Sequence, residues 1–240
     1  MGYRIEAADG TIGTVSNFLF DDRTWKVRWL VVDTGTWLTA RLVLVHPSAI
    51  GRVDYLERAM PVTLTKEQVK SSPDVLLDRP VSRQHEFNLY DHYDWDPLWG
   101  RSYFGPNAPP PVAAEQAVAE AGVLSNLEGN DPHLRSLSAV TGYDIQASNG
   151  AIGHLENVLL EDDGWDIRYL IIDTRNWWAG QHVLVSPHAV LGISWSERLI
   201  YLNVSREKVK ASPPWAPVDL VDVAYEKRLH RYYEWPGYGW

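Results

Sequence analysis

The chain has 240 residues, with 22 Lys and Arg against 31 Asp and Glu, and a formal net charge of −9. This excess of acids disfavours nucleic acid and anionic membrane surfaces as partners, because phosphate groups attract basic faces. Cysteine is absent, which excludes disulfides, thiolate metal sites and cysteine nucleophiles. The sequence shows neither a long apolar run nor the start of a signal peptide, so it predicts a cytoplasmic protein with no transmembrane segment.

An internal repeat organises the sequence. A shift of 140 residues aligns positions 3–95 with 143–235 without a gap. The clearest block is WKVRWLVVDTGTW at Trp25–Trp37, which returns as WDIRYLIIDTRNWW at Trp165–Trp178. Two copies of this length predict two similar domains rather than a solenoid. The predicted division is a first domain at 1–95, a Pro-, Gly- and Ala-rich linker at 96–136 and a second domain at 137–240.

Each copy reads as a succession of short strands separated by turn signals. This pattern predicts a small antiparallel barrel or sandwich. In the first copy the predicted strands are Tyr3–Ala7, Ile12–Phe20, Trp25–Thr34, Arg41–Val45, Gly51–Tyr55 and Arg58–Leu64.

Short helices are predicted after the strands of each copy. Thr65 can cap the first of them, with Gln68 completing a capping box, and Pro73 ends it. A second helix begins near Ser82. The apolar spacing of its counterpart in the second copy suits a helix that lies against a barrel. That stripe consists of Val221, Tyr225, Leu229 and Tyr232.

One segment breaks the symmetry of the repeat. HLRSLSAVTG precedes the second copy at 133–142, whereas the first copy starts at MGYRI. Either the first barrel lacks the start of its first strand, or the chain is a trimmed version, and the second interpretation is favoured here.

The residues common to both copies favour architecture over chemistry. In a regular strand Arg28 and Asp33 point to opposite faces, so they do not form one catalytic pair. Asp33 lies where the strand must turn, where an aspartate bonds to backbone N–H groups two residues on. Gly10 and Gly13 have no following Lys-Ser/Thr and no helix, so they predict a hairpin turn rather than a phosphate loop.

Histidines and carboxylates at helical spacing near the end of the first copy are the strongest candidates for metal ligands. Only Glu86 among them is repeated in the second copy, so a solvated helix face is predicted and no metal site. No serine has a Gly-x-Ser-x-Gly context, so the prediction is a non-enzymatic protein without a cofactor. These candidate ligands are His85, Glu86, Asp91, His92 and Asp94.

Three motifs together resemble the PRC-barrel domain, which is named from the cytoplasmic part of the photosynthetic reaction centre H subunit. They are G-x-I-G-x-V at Gly10–Val15, W-x-V-R-W-L-V-V-D-T at Trp25–Thr34 and V-L-V-x-P at Val43–Pro47, and the second copy repeats them. The resemblance implies an all-β chain with short helices, built as two six-stranded antiparallel barrels in tandem. It also implies an interaction or assembly module without intrinsic catalysis.

The predicted function is therefore a protein-interaction or assembly module that binds another protein or itself. A small-ligand or metal-binding module and a ribosome- or RNA-associated factor are the alternatives. The aromatic tails could instead fold back onto their own barrels. The predicted interaction surface consists of Trp37, Trp177, Trp178, Tyr93, Trp95, Trp99, Tyr233 and Trp235.

Overall fold

The computed structural model describes residues 2–39, 41–73, 89, 92–93, 133–174, 182–216 and 221–238. It is mostly β, with two six-stranded sheets and a few short helices, which confirms the predicted fold class. The chain forms two compact units. The first is Met1–Leu137 with Asp162–Trp165, and the second is Ser138–Glu161 with Asp166–Trp240. Across the described ranges, no helix combines the length and apolar character needed to cross a bilayer.

The strands of the first sheet are β1 Arg4–Ala7, β2 Gly10–Asp21, β3 Lys26–Asp33, β4 Leu42–Val45, β5 Ala59–Pro61 and β6 Leu134–Ser136. They run in the order β4-β3-β2-β1-β5, and β6 pairs with β2 beside that path. The long central hairpin, β2 with β3, carries the core of the unit, where Trp29, Leu30 and Phe20 are fully buried.

The first sheet differs from the predicted one in two ways. β1 and β5 pair in parallel, so the sheet is not purely antiparallel. The segment predicted as a strand at Gly51–Tyr55 forms only an isolated bridge from Asp54 to Ala59. The sixth strand is β6, which lies 73 positions beyond the end of β5 along the chain, counting from Pro61 to Leu134.

All six strands of the second sheet come from the second copy. They are β7 Asp144–Ala147, β8 Gly150–Leu160, β9 Ile167–Asp173, β10 His182–Val185, β11 Val190–Ser194 and β12 Leu199–Leu202. The sheet runs in the order β10-β9-β8-β7-β12-β11. It has the same parallel pairing as the first sheet, here between β7 and β12.

Four short α-helices are described: α1 Lys66–Lys70, α2 Leu137–Val140, α3 Arg206–Lys210 and α4 Val223–Tyr233. The capping box before α1 is confirmed, since Thr65 and Gln68 bond reciprocally to each other's backbone. The helix predicted from Ser82 lies mostly outside the described residues.

The buried face of α4 differs from the predicted apolar stripe. Tyr233, not Tyr232, is the buried tyrosine at the end of the helix, because the buried positions recur every four residues from Tyr225 through Leu229. Two polar side chains, Glu226 and His230, are buried on the same face. Tyr225 and Leu229 are buried as predicted.

Candidate functional site

The predicted interaction surface is distributed over different environments. Trp37 is 37% exposed, its indole N–H donates to the Ile12 carbonyl, and Lys66 Nζ lies 5.5 Å from its ring centre. Tyr93 and Tyr233 are buried. Trp235 is half-buried and stacks on Tyr233 with 4.1 Å between ring centres. Trp95, Trp99, Trp177 and Trp178 lie outside the described residues.

Asp33 takes the local role that the sequence predicts. Its carboxylate accepts the Gly35 backbone N–H at 2.8 Å, which closes the turn after β3. This contact confirms the turn prediction.

Several large apolar side chains that the sequence analysis did not single out are exposed. The turn after Asp54 carries Tyr55 and Leu56, which are 56% and 96% exposed, and Leu191 in β11 is 71% exposed. No short-range sequence pattern distinguishes them from buried residues, because the residue type alone does not show whether an apolar side chain faces solvent or the core.

The edge of β2 is completed by β6. The two strands run antiparallel, with Leu19 opposite Ser136, Phe20 opposite Arg135 and Asp21 opposite Leu134. The Asp22 backbone N–H donates to the His133 carbonyl at 2.9 Å. Leu19 and Phe20 are consequently buried.

Side chains hold β6 in place at both ends of this pairing. The Asp22 carboxylate lies 2.9 Å from Arg135 Nε and 2.9 Å from His133 Nδ1. Asn17 Nδ2 donates to Ser136 Oγ at 2.8 Å. Residues 133–136 precede the second copy in the sequence, but they complete the first sheet through backbone pairing and an ion pair.

The equivalent edge in the second unit is β8 from Leu159 onward. β7 pairs with β8 only as far as His154, and β9 pairs along the other side. Among the described residues no strand occupies the place beside Leu159 and Leu160 that β6 takes beside β2. Leu159 and Leu160 are only half-buried, and Asn157, the counterpart of Asn17, is exposed.

A buried polar cluster joins α4 to β9 in the second unit. The Tyr169 hydroxyl lies 3.1 Å from Glu226 Oε1 and 2.8 Å from His230 Nε2. His230 Nδ1 contacts the Pro236 carbonyl, which can only accept, so Nδ1 carries a proton. Burial, followed by the Glu226 charge, raises the pKa of Tyr169, so its hydroxyl remains a donor. Burial lowers the pKa of His230.

This cluster predicts a measurable stability difference between two tyrosines. Tyr169→Phe is expected to lower the free energy of unfolding by about 1–3 kcal/mol, because buried Glu226 and His230 lose a shared partner. Tyr201 makes the same kind of bond to Glu197 at 3.0 Å on the exposed surface. Tyr201→Phe is expected to change stability by less than about 0.5 kcal/mol. Urea denaturation of both variants checks the contrast, and equal losses would contradict a role for burial.

A second group of polar side chains gathers on β8, β9 and β10. The ligand atoms of Glu156, Asp173 and His182 all lie within 4.8 Å of one another. His182 Nε2 is 2.8 Å from Glu156 Oε2, and His154 Nε2 is 3.8 Å from Asp173 Oδ2. No sequence motif marks this group, because its members are spread over 29 positions, from 154 to 182.

The metal candidates weighed from the sequence lie elsewhere. His85, Glu86, Asp91 and Asp94 are outside the described residues. His92 is exposed, and its Nε2 lies 3.0 Å from the Gln68 carbonyl oxygen. Its counterpart Tyr232 reaches the equivalent carbonyl of Lys208 with its hydroxyl at 2.7 Å. His92 therefore has a structural contact that the other copy reproduces without histidine.

Together these features define a mostly β protein with one completed strand edge in the first unit. Residues 5–69 match the family model of the PRC-barrel domain, so the chain carries such a domain there. An uncharacterized protein of Deinococcus radiodurans is 36% identical over 77 residues, which cover 30% of this chain and 26% of the relative. The match thus spans about a quarter of that relative's length.

Proposed function

We propose that this protein is a non-enzymatic interaction module that binds a protein partner by adding an extended strand to the open edge of β8. The observation that carries the proposal is the pairing of β6 with β2. In the first unit the same edge is already completed by a strand from outside the repeat copy. On this proposal both copies are PRC-barrel domains. The first receives its extra strand, β6, from its own chain, and the second receives an equivalent strand from a partner protein.

The backbone of β8 presents hydrogen-bonding groups at this edge. The Glu161 N–H donates to the Asp166 carbonyl at 3.0 Å, toward the β9 side of the hairpin. Successive backbone groups of a strand point in opposite directions, so the N–H and carbonyl of Leu160 face the open side. Phe20, the counterpart of Leu160, is the residue that lies opposite Arg135 of β6. Strand addition satisfies such groups and provides affinity through main-chain hydrogen bonds.

The side chains around the edge specify a basic, leucine-containing strand. Asp162 replaces Asp22, whose carboxylate binds Arg135 and His133 in the first unit. Glu161 and Asp163 extend the acidic run where the first copy has Asp21 and Arg23. Asp162 is exposed. Asn157 is the same residue type as Asn17, so its side-chain amide can donate to a serine hydroxyl oxygen in the same way.

The partner segment is therefore an extended strand with the chemistry of β6, in which leucine, arginine and serine follow one another. A peptide covering residues 132–138, PHLRSLS, is the direct probe. We expect it to bind the full chain with a Kd below about 1 mM, since a short strand gains few contacts and must be ordered. Fluorescence anisotropy of the labelled peptide measures this affinity.

Two methylated peptides separate strand pairing from simple charge attraction. N-methylation of the arginine amide removes the donor that faces the sheet and is expected to weaken binding at least about tenfold, as lost hydrogen bonds and a steric clash both act. N-methylation of the preceding leucine amide, which faces away, is the matched control and is expected to have a smaller effect. Equal losses for the two peptides would argue against strand addition.

Hydrogen exchange identifies which edge the peptide uses. We expect added protection of the Leu160 amide and none at Phe20, and Asn157→Ala is expected to weaken binding several-fold. Protection confined to the β2 edge would mean that the peptide displaces β6, and the proposal would then be wrong. Absence of binding at millimolar peptide would have the same consequence.

A further inference from the structure

The polar group on β8, β9 and β10 is positioned by the sheet itself. His154 and His182 are both register partners of Asp173, so the three residues form one row across three adjacent strands. Side chains of directly paired residues lie on the same face of a sheet. Glu156 follows two positions after His154 on β8, at a register shift between Leu155 and Asn157. The sheet therefore brings the ligand atoms of Glu156, Asp173 and His182 within 4.8 Å of one another and places His154 beside Asp173.

The first copy lacks three members of this group. Its residues at the equivalent positions are Thr14, Ser16 and Leu42, and only Asp33 is retained. The fold does not require the group, because the first sheet forms the same strand pairs without it. At three separate positions the second copy thus has a residue type that commonly binds metals, where the first copy has one that does not.

We propose that His154, Glu156, Asp173 and His182 form a binding site for a divalent transition-metal ion of the zinc type in the second unit. Neutral imidazole nitrogens and carboxylate oxygens are ligands for Zn²⁺, whereas Mg²⁺ and Ca²⁺ prefer oxygen ligands alone. The charges suit a dication, since two carboxylates balance its charge and Asp173 is fully buried.

Three of the four ligand atoms already lie within 4.8 Å of one another, and coordination by His154 as well requires a side-chain rotation from its place beside Asp173. Ligand atoms around a tetrahedral zinc ion stand roughly 3.3 Å apart, as follows from bonds of about 2.0–2.1 Å. The separations in the structure, 2.8 Å for His182 to Glu156 and 3.8 Å for His154 to Asp173, lie on either side of that value. His154, Glu156 and His182 are partly exposed, which leaves an entry path from solvent.

The test uses the full chain and Zn²⁺, followed by isothermal titration calorimetry, with Co²⁺ absorption as a second readout. We expect one site per chain. The triple variant His154→Thr, Glu156→Ser and His182→Leu carries the residues of the first copy, and it is expected to weaken Zn²⁺ binding at least about 100-fold. His182→Asn alone is expected to weaken binding at least about tenfold, and this milder change tests the site even where the triple variant fails to fold.

Other histidines are controlled in the same chain. His92→Tyr introduces the residue of the second copy, Tyr232, and is expected to leave Zn²⁺ affinity unchanged. The reciprocal variant Thr14→His, Ser16→Glu and Leu42→His is expected to raise the stoichiometry from one ion to two. Unchanged Zn²⁺ binding in His182→Asn, or equally tight binding of Mg²⁺ or Ca²⁺, would overturn the proposal.

Discussion

Gly153→Ala is expected to lower the free energy of unfolding by about 3–5 kcal/mol, since backbone strain and overpacking act together at this position. A Cβ added at Gly153 would lie 2.0 Å from the Asp173 carbonyl oxygen, and its φ is +139°. The obstacle is backbone of the neighbouring strand, so no side-chain rotation relieves it. Gly13→Ala meets the same obstacle at 2.1 Å from the Asp33 carbonyl oxygen.

The matched control is Gly192→Ala in β11, where an added Cβ meets no atom within 4 Å. That variant is expected to change stability by less than about 1 kcal/mol. Urea denaturation of the full chain, followed by tryptophan fluorescence, compares the variants. A loss for Gly153→Ala no larger than that for Gly192→Ala would show that the hairpin backbones can separate freely.

Acid is expected to destabilise the first unit through His46. Burial, together with the nearby positive charge of Arg28, lowers the pKa of His46 to about 3. The ring is enclosed, with its centre 5.2 Å from that of Trp29 and its Nδ1 2.8 Å from Ser48 Oγ. In the unfolded chain a histidine has a pKa of about 6.5. Between pH 3 and 6.5 the unfolded chain therefore binds a proton that the folded chain excludes.

The sign of the effect follows from this difference in bound protons. The contribution of His46 to stability is fully present above pH 6.5 and is lost as the pH falls toward 3, with a total on the order of 5 kcal/mol. His46→Asn retains a side-chain acceptor for the Ser48 N–H but does not titrate. Urea denaturation from pH 3.5 to 7.5 is expected to show a shallower slope for this variant. Parallel curves for the two proteins would contradict the assignment.

Local features were predictable because each depends on residues close together in sequence. The capping box at Thr65 and Gln68 and the turn closed by Asp33 need only their own segments, and both form as predicted. The prediction that Gly10 and Gly13 both belong to a hairpin turn is confirmed for Gly10 only. Gly10 opens β2 with a φ of +123° next to the turn, but Gly13 lies inside the strand, where the β3 backbone approaches.

The buried face of α4 shows where a local pattern stops being sufficient. Apolar spacing identified Tyr225 and Leu229, but it assigned Tyr232 to the stripe and left out Glu226 and His230. Those two polar residues are buried because Tyr169 of β9 lies within hydrogen-bonding distance of both. A hydrophobic pattern has no information about a polar partner that is more than 50 positions away in the sequence.

The sequence by itself determined a mostly β chain, the capping box at Thr65 and Gln68 and the PRC-barrel motifs of the first copy, because periodicity and turn chemistry act over a few residues. Only the tertiary structure decided that HLRS at 133–136 completes the first sheet, and that the second sheet has no such strand among the described residues. It also decided that Glu156, Asp173 and His182 meet, with His154 beside Asp173. Strand order and register depend on which edges bury the most apolar surface, and that competition involves segments far apart in the chain.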